Sequence, residues 1–302
     1  MSDPVSRQMP EGRTAFGTRL RRAMDARGQL CVGIDPHPAL LAAWGLNDDA
    51  AALERFSLTV LESVGEHAAA VKPQVALFER HGSAGMAALE RVLAACSDAG
   101  MLSIADAKRG DIGSTMAAYA DAWLRDGSAL AADSVTLSPY LGFESLRPAL
   151  DLAAASGRGV FVLALTSNPE GASVQHVGGT ASVAARIMDA AAAENTRELE
   201  GAGGGAVSGA PGSVLGSTGL VIGATVGSAM TELDLDPAAA ATPILAPGLG
   251  AQGATGADLR LTFGAAYPNV LATSSRDILR AGPHPAGLRE AALRTQAGLS
   301  PA

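Results

Sequence analysis

The sequence predicts an α/β protein whose eight parallel strands close into a single (β/α)8 TIM barrel. Short apolar segments alternate with amphipathic helical patterns along most of the 302 residues, and this alternation is typical of parallel strands joined by helices. The length suits one barrel of roughly 250 residues with extensions. Polar or glycine-rich clusters also follow most of the predicted strands, where barrel enzymes carry their chemistry. A doubly wound open sheet is the lesser alternative.

The elements follow from hydrophobic periodicity and turn residues. Between the strands, Ala84–Ala99 repeats apolar residues at helical spacing and stops at Gly100, and Met116–Arg125 follows a Ser114 or Thr115 cap. The predicted strands, in order, are Leu30–Ile34, Ala69–Lys72, Leu102–Ala105, Ser134–Leu137, Val160–Leu165, Leu220–Ile222, Ile244–Ala246 and Val270–Ala272.

One catalytic domain, residues 16–296, is predicted between an N-terminal extension (1–15) and a C-terminal tail (297–302). Within the domain, Gly201–Gly219 carries eight glycines in nineteen residues. Such a stretch resembles a phosphate cradle, but it lies between a helix and the sixth strand, on the barrel face opposite the expected active site. We therefore interpret it as a flexible Gly-rich insertion before strand 6.

Composition excludes several classes of partner. A formal net charge of −8 argues against nucleic acid or an anionic membrane as the main partner. No apolar run approaches the roughly 18 residues of a membrane span, and the first residues show no export segment. Cys31 and Cys96 both lie in apolar patterns, so buried thiols are favoured over a disulfide. The expected location is the cytoplasm.

Lysine is used only twice. Of 22 basic residues, 20 are arginines, and the two lysines are Lys72 and Lys108. Arginine stays protonated in proteins, whereas a partly buried lysine ammonium can shift its pKa and release a proton. Codon bias explains the arginines but not the two lysines, so we expect both lysines to be functional.

Four charged residues follow the third predicted strand directly. Asp106, Lys108, Arg109 and Asp111 lie within six residues after an apolar run, which is costly placement for ordinary surface. Asp106 and Lys108 share a face if strand geometry persists, whereas the direction of Asp111, beyond Gly110, is not fixed by the pattern. A simple ion-pair network is the alternative, but the mouth of a barrel favours function.

The last two loops have features of a phosphate site. "PGLGAQG" follows strand 7 and "SSRD" follows strand 8, where barrels often present backbone N–H groups to a phosphate. Gly248 and Gly250 would allow close approach, and Arg276 supplies a fork of donors.

The motifs together resemble one family. "DAKRGDIGST" matches the D-x-K-x-x-D-I-x-x-T signature of orotidine 5′-phosphate decarboxylase. "VGIDPHP", "VKPQVALFE", "LTSNPEG", "PGLGAQG" and "SSRDIL" resemble, in order, the bacterial branch with longer loops. The resemblance runs from about Phe16 to the C-terminal helix. It implies a homodimeric barrel that converts orotidine 5′-phosphate to uridine 5′-phosphate (UMP) and carbon dioxide, without cofactor or metal, in pyrimidine biosynthesis.

The resemblance also implies roles for the charged residues. Asp35 and Lys72 would contact the ribose hydroxyls, and Lys72 would anchor the charge array. Asp106 would face the substrate carboxylate, and Lys108 would donate the proton to C6. Alternation of Lys72, Asp106, Lys108 and Asp111 would keep all four ionised.

Five further roles are implied in the same way. Asp111 and Thr115 would reach into the partner subunit's site. Ser167 would read the pyrimidine edge, and Gln252 would bridge the base and the phosphate. Arg276 would hold the phosphate.

Two rival functions stay open. A magnesium-dependent sugar-phosphate decarboxylase or synthase shares the D-x-K-x-x-D core, but such relatives are expected to have a metal-binding carboxylate where this chain has Lys72. A catalytically dead nucleotide-binding barrel would have no need to bury a carboxylate against its anionic ligand.

Other conspicuous residues carry smaller predictions. The five histidines show no paired metal spacing, so a structural role is expected for His37. Glu79 supports the site or caps a loop, and the sequence does not decide between these. Trp44 and Trp123 are predicted to be packing residues.

Overall fold

The predicted barrel is confirmed. The computed structural model describes residues 13–201, 213–238, 241–250 and 253–300. Eight parallel strands are hydrogen-bonded in chain order, and the last pairs with the first to close the barrel. The strands are β1 (Leu30–Ile34), β2 (Ala70–Pro73), β3 (Leu102–Arg109), β4 (Ser134–Leu137), β5 (Gly159–Leu165), β6 (Thr218–Ile222), β7 (Ile244–Pro247) and β8 (Val270–Ser274).

Helices surround the barrel and connect its strands. They are α1 (Phe16–Arg27), α2 (Pro38–Ala43), α3 (Ala50–Val64), α4 (Val75–Glu79), α5 (Gly82–Asp98), α6 (Gly113–Leu124), α7 (Arg147–Ser156), α8 (Ala172–Gln175), α9 (Val183–Gly201), α10 (Ala229–Glu232), α11 (Gly256–Phe263), α12 (Arg276–Leu279) and α13 (Pro285–Leu299). Within the described ranges, none is both long and apolar enough to cross a membrane.

The predicted cap of α6 is wrong. The helix begins at Gly113, so Ser114 and Thr115 lie in its first turn, and no side chain caps it. Gly113 has φ +55°, a conformation that glycine adopts without a Cβ clash. The chain therefore turns into the helix at Gly113, before either hydroxyl residue could serve as the cap.

Helix α1 closes the N-terminal end of the barrel. Phe16, Leu20 and Met24 are buried against side chains of the strands, among them Cys31 and Phe161. The Phe16 and Phe161 rings meet edge to face with centroids 6.0 Å apart. Apolar side chains therefore fill the barrel interior at this end.

Both cysteines are free and buried, as the sequence predicts. Burial raises the pKa of Cys31 and of Cys96 to about 12, so both thiols stay protonated at neutral pH. Trp44 and Trp123 are also buried, which confirms their packing role. The Trp44 indole N–H donates to the carbonyl of Leu279 at 2.9 Å.

The predicted flexible insertion, Gly201–Gly219, is wrong at both ends. Gly201 closes α9, and β6 already begins at Thr218. Leu215 is buried in the core, and Ser217 bonds through its backbone N–H and hydroxyl to Glu198 at 2.7 and 2.6 Å. The sequence pattern did not predict these contacts, because the high glycine content of the stretch indicates a loop even where single residues are packed in the core. Residues 202–212 of the predicted insertion lie outside the described residues.

The C-terminal helix continues past the predicted domain end at residue 296. α13 extends to Leu299, whose side chain is buried. The Leu299 carbonyl accepts a hydrogen bond from the Tyr267 hydroxyl at 2.5 Å. The last turn therefore belongs to the barrel and not to a tail.

Candidate active site

A cavity of about 250 Å³ opens at the C-terminal ends of the strands. Its walls come from strands β1, β2, β3, β5, β6, β7 and β8 and the loops that follow them. Six of the predicted site residues line it: Asp35, Lys72, Asp106, Lys108, Gly248 and Arg276. The barrel thus brings together residues that are up to 241 positions apart in the sequence.

Three of these residues form a chain of charges. The Lys72 ammonium donates to Asp106 Oδ2 at 2.7 Å, and the Lys108 ammonium donates to Asp106 Oδ1 at 2.5 Å. The Lys72 side chain is only 6% exposed and that of Asp106 9%, whereas Lys108 is 46% exposed. Asp106 is therefore held between a buried cation and one that faces the cavity.

The buried pair is ionised at neutral pH. Burial by itself raises the pKa of Asp106, but the ammonium groups of Lys72 and Lys108 more than offset this and hold it well below its ordinary value. Burial likewise lowers the pKa of Lys72, and the carboxylates of Asp106 and Asp35 raise it above its ordinary value. Each charge keeps its neighbour charged.

The backbone at Lys108 is irregular. Lys108 has φ +49°, which is uncommon for a residue with a side chain, and the register between β3 and β4 shifts between Ala105 and Arg109. Asp106 and Lys108 therefore do not meet through regular strand alternation, as the spacing had predicted. They meet because the chain bends at the lysine.

Thr136 on β4 holds this bend and was missed by sequence reasoning. Its hydroxyl accepts the Lys108 backbone N–H at 2.9 Å and donates to Asp106 Oδ1 at 3.0 Å. One hydroxyl thus fixes both the strained backbone and the carboxylate. The only signal was a polar residue within the short apolar strand "SVTL", and such residues are common enough to carry little weight.

Gln74 contacts the charge chain directly, and Glu79 contacts a residue beside it. The Gln74 side-chain amide donates to Asp106 Oδ2 at 3.1 Å. Gln74 directly follows β2 in "VKPQ", a position that could have identified it. Glu79 forms an ion pair with Arg109, the neighbour of Lys108.

The end of the cavity near β8 carries the cation and the glycines expected for a phosphate. Arg276 is the first residue of α12, and Gly248 has φ +119°. Gly250 lies just outside the cavity lining, where a Cβ would come within 1.9 Å of a carboxylate oxygen of Asp277. Glycine is therefore required there for the loop after β7 to pack on α12.

Asp35 offers an acceptor to the cavity. Its Oδ1 is buried and accepts no hydrogen bond from the described residues. Gly33 makes room beside it, because a Cβ at Gly33 would lie 1.9 Å from the hydroxyl oxygen of Ser275. The residue lines the cavity, while this one oxygen is turned away from solvent.

The other predicted residues lie outside the lining of this cavity. Asp111 and Thr115 lie beyond the mouth, and Asp111 Oδ1 accepts the Ile112 N–H at 2.8 Å. Asp111 is thus not part of the charge chain within one subunit. Ser167 follows β5 beside Gly223, and Gln252 lies outside the described residues.

Across the described residues, no group of three or more His, Cys, Asp or Glu side chains is arranged to hold a metal ion. His37 lies at the start of α2, where its carbonyl accepts the N–H groups of Leu40 and Leu41. This is a structural position.

Comparison with known proteins identifies the family. The family model described as orotidine 5′-phosphate decarboxylase / HUMPS family matches residues 28–291. The orotidine 5′-phosphate decarboxylase of Streptomyces coelicolor is 54% identical over 281 residues, which is 92% of this chain and 95% of that protein. That of Salinispora arenicola is 54% identical over 285 residues, with 94% and 96% covered.

Solved structures agree with the sequence relatives. A crystal structure from Streptomyces avermitilis, assigned to orotidine 5′-phosphate decarboxylase, is 52% identical and superposes with a TM-score of 0.85 over 99% of this chain and 98% of that one. The Leishmania donovani OMP decarboxylase structure is 28% identical, with a TM-score of 0.73 over 95% and 98%. The chain therefore belongs to the orotidine 5′-phosphate decarboxylase / HUMPS family, and its half-identical relatives are orotidine 5′-phosphate decarboxylases.

Proposed function

We propose that this chain catalyses the decarboxylation of orotidine 5′-phosphate to UMP and carbon dioxide, a step of pyrimidine biosynthesis. The observation that carries the proposal is the buried Lys72–Asp106–Lys108 chain, which ends on an ammonium facing the cavity. Arg276 lines the same cavity. One cavity thus carries Arg276, which can bind a phosphate, and Lys108, whose ammonium can face the carbon that loses carbon dioxide.

Lys108 stabilises and then quenches the carbanion. Loss of carbon dioxide from C6 leaves negative charge in a ring that delocalises it poorly, so a positioned ammonium lowers the barrier. Two unit charges 4 Å apart interact by roughly 4 kcal/mol at an effective dielectric of 20, which is worth about three orders of magnitude in rate. The same ammonium then donates the proton to C6.

Asp106 has two effects. It holds the Lys108 ammonium through the 2.5 Å contact, and it faces the substrate carboxylate, which it repels until carbon dioxide leaves. We weight the first effect above the second, because ground-state repulsion is the more contested source of catalysis. Binding energy from the remote phosphate offsets the unfavourable contact.

The rest of the cavity orients the nucleotide. Asp35 and Lys72 receive the ribose hydroxyls, and Arg276 with the backbone at Gly248 and Gly250 holds the phosphate. Ser167 reads the pyrimidine edge.

Gln252 completes the nucleotide site. We propose that it bridges the base and the phosphate.

The working unit is a homodimer in which Asp111 and Thr115 reach the partner subunit's site. Large apolar side chains are exposed next to these residues: Ile112 (62%), Tyr140 (80%) and Leu141 (55%). The loops that carry them are in contact, since Ser138 donates its backbone N–H to the Arg109 carbonyl at 2.8 Å. An exposed apolar patch beside an active site is typical of a subunit interface.

The catalytic unit is one barrel domain from Phe16 to Leu299. We place the enzyme in the cytoplasm, because Cys31 and Cys96 are free buried thiols, as is usual in a reducing compartment.

A direct assay tests the activity. Purified protein is mixed with orotidine 5′-phosphate, and the loss of its ultraviolet absorbance is followed, with formation of UMP checked by chromatography. Lys108→Ala, purified in parallel, controls for contaminating enzyme. Turnover by the wild type and not by the variant supports the proposal, and an unchanged substrate contradicts it.

A further inference from the structure

A second cavity lies at the opposite end of the barrel. It encloses about 510 Å³, more than the active-site cavity, between α1, the end of α5, the first residues of β3 and the residues that precede β4 and β5. Five guanidinium groups line it: Arg13, Arg19, Arg22, Arg27 and Arg158. The decarboxylation site makes no use of this concentration of cations in an acidic protein.

The carboxylates nearby do not balance these cations. Asp133 lines the cavity, but it is already bonded to Arg19 at 2.5 Å and to the N–H and hydroxyl of Ser103. Asp126 accepts from both Arg13 and Arg158, at 2.7 and 2.9 Å. Five positive groups against two carboxylates leave an excess of three positive charges.

The excess is concentrated on two arginines of α1. Among the described residues, the Arg22 side chain makes no ion pair or hydrogen bond, and the Arg27 side chain makes one hydrogen bond, to the Met101 sulfur at 3.9 Å. Guanidinium groups without an acceptor are available to a ligand. Both line this cavity, although they are five positions apart on α1 and do not share one face of the helix.

Arg158 adds a guanidinium that the fold holds in the wall of the cavity. The residue is only 7% exposed, and its two terminal nitrogens donate to the Ala132 carbonyl and to Asp126. Its Nε is buried, has no hydrogen-bond partner among the described residues and is not accessible from the cavity. Arg158 therefore contributes positive charge to the cavity and not a free donor.

We propose that this cavity binds a phosphate-bearing anion of nucleotide size, at a site separate from the active site. Guanidinium forks match phosphate oxygens in pairs, which favours a di- or triphosphate over a single carboxylate. Leu93, Met101 and Leu102 form an apolar part of the wall, against which the uncharged part of the ligand packs. The volume lies within the range of roughly 300–1,000 Å³ that small-molecule sites occupy.

Calorimetric titration tests the site with two probes, pyrophosphate and ATP, at about 0.15 M salt. We expect one saturable site per chain with Kd below about 1 mM, and tighter binding of ATP because it also reaches the apolar wall. The titration is repeated with Arg276→Gln, which removes the active-site cation. We assign binding that persists in this variant to the second cavity. This part of the test does not depend on which substrate the active site binds.

Two charge-removing variants locate the site. Arg22→Gln and Arg27→Gln should each weaken binding at least about tenfold, since each removes a charge-assisted contact. Arg55→Gln, an exposed α3 arginine that does not line the cavity, is the matched control and should change Kd less than about twofold. Exposed Arg22 tolerates substitution, so the test does not depend on Arg27→Gln folding.

Three results would each overturn the proposal. The first is no saturable binding tighter than about 1 mM. The second is equal weakening by Arg55→Gln, which would show diffuse attraction to surface charge. The third is loss of all binding in Arg276→Gln, which would assign both probes to the active site.

Discussion

Thr136 and Asp106, thirty residues apart in the chain, share a 3.0 Å hydrogen bond in which the threonine hydroxyl is the donor. The same hydroxyl accepts the backbone N–H of Lys108 at 2.9 Å. Because Lys108 has φ +49°, its conformation must be held by its surroundings. Thr136 is therefore a positioning residue for the proposed proton donor.

Removal of the Thr136 hydroxyl should reduce turnover. In Thr136→Val the Lys108 N–H and Asp106 each lose a partner, so the ammonium is held less accurately, and we expect kcat to fall about 10- to 100-fold. KM should change little, because Thr136 does not line the cavity. Thr136→Ser keeps the hydroxyl and should recover most of kcat. A loss in Thr136→Ser as large as that in Thr136→Val would contradict the positioning role of the hydroxyl, because the serine variant keeps that hydroxyl.

The two lysines should differ in their effect on stability. Lys72→Met leaves the buried Asp106 without its buried partner and should cost about 3–5 kcal/mol in free energy of unfolding. Lys108→Met removes a side chain that is 46% exposed and should cost less than about 1 kcal/mol. Urea unfolding of both variants at pH 7 measures the difference. Similar values for the two would contradict the proposed burial of the Lys72–Asp106 pair.

The pH dependence of the Lys72→Met cost follows from the direction of the shifts. The folded pKa of Asp106 is lowered, so its stabilisation is present above the ordinary value of about 3.9 and is lost as the pH falls through the folded pKa. The folded pKa of Lys72 is raised, so its stabilisation is present below about 10.4 and is lost as the pH rises through the folded value. The cost should therefore stay flat from about pH 6 to 9.

The sequence predicted the parts of the site that depend on strand ends and missed those that depend on neighbouring strands. All eight strands were placed within a few residues, because each is a short apolar run between turn signals. Lys72, Asp106 and Lys108 follow from their position after those runs. Thr136 could not be found, since its role comes from the bend at Lys108 and from the pairing of β3 with β4.

The packed end of the Gly-rich stretch was missed for a related reason. Leu215 and Ser217 are fixed by contacts to α1, α9 and the barrel interior, which are distant in sequence. The stretch Gly201–Gly219 contains eight glycines in nineteen residues, so its composition favours a loop. The end of such a loop is determined by contacts with residues distant in the sequence, and the sequence of the segment alone does not predict those contacts.

Replacement of Lys108 by arginine tests the proton donor. Arginine keeps the positive charge, but it does not readily release a proton and its guanidinium is larger than the ammonium. We expect kcat to fall at least about a thousandfold in Lys108→Arg, given the size of electrostatic and general-acid effects. The assay is the absorbance loss of orotidine 5′-phosphate under saturating substrate. Near-normal turnover would remove Lys108 from the proton-donor role.

Chelation separates the decarboxylase from a magnesium-dependent relative. Lys72 occupies the position where we expect such an enzyme to have a carboxylate, and its ammonium would repel Mg²⁺. We expect the rate to be unchanged after exhaustive dialysis against EDTA and after addition of Mg²⁺. Activity lost to the chelator and restored by Mg²⁺ would favour the sugar-phosphate enzyme.

Subunit mixing tests whether Asp111 acts in the partner's site. Asp111 lies outside the lining of the cavity of its own chain, next to the exposed patch formed by Ile112, Tyr140 and Leu141. Lys108→Ala and Asp111→Ala homodimers should each be nearly inactive, since each has both sites damaged. Gel filtration of the two proteins, alone and mixed, checks that dimers form and exchange.

Mixed dimers distinguish the two assignments by counting sites. If Asp111 crosses, one site of a heterodimer carries both lesions and the other carries none. Random exchange makes half of the dimers heterodimers, so activity should recover to about a quarter of the wild-type value. If Asp111 serves its own chain, every site in the mixture keeps one lesion and no activity returns. Absence of recovery after proven exchange would overturn the cross-subunit role of Asp111 while leaving the decarboxylase assignment intact, because Lys72, Asp106 and Lys108 belong to one chain.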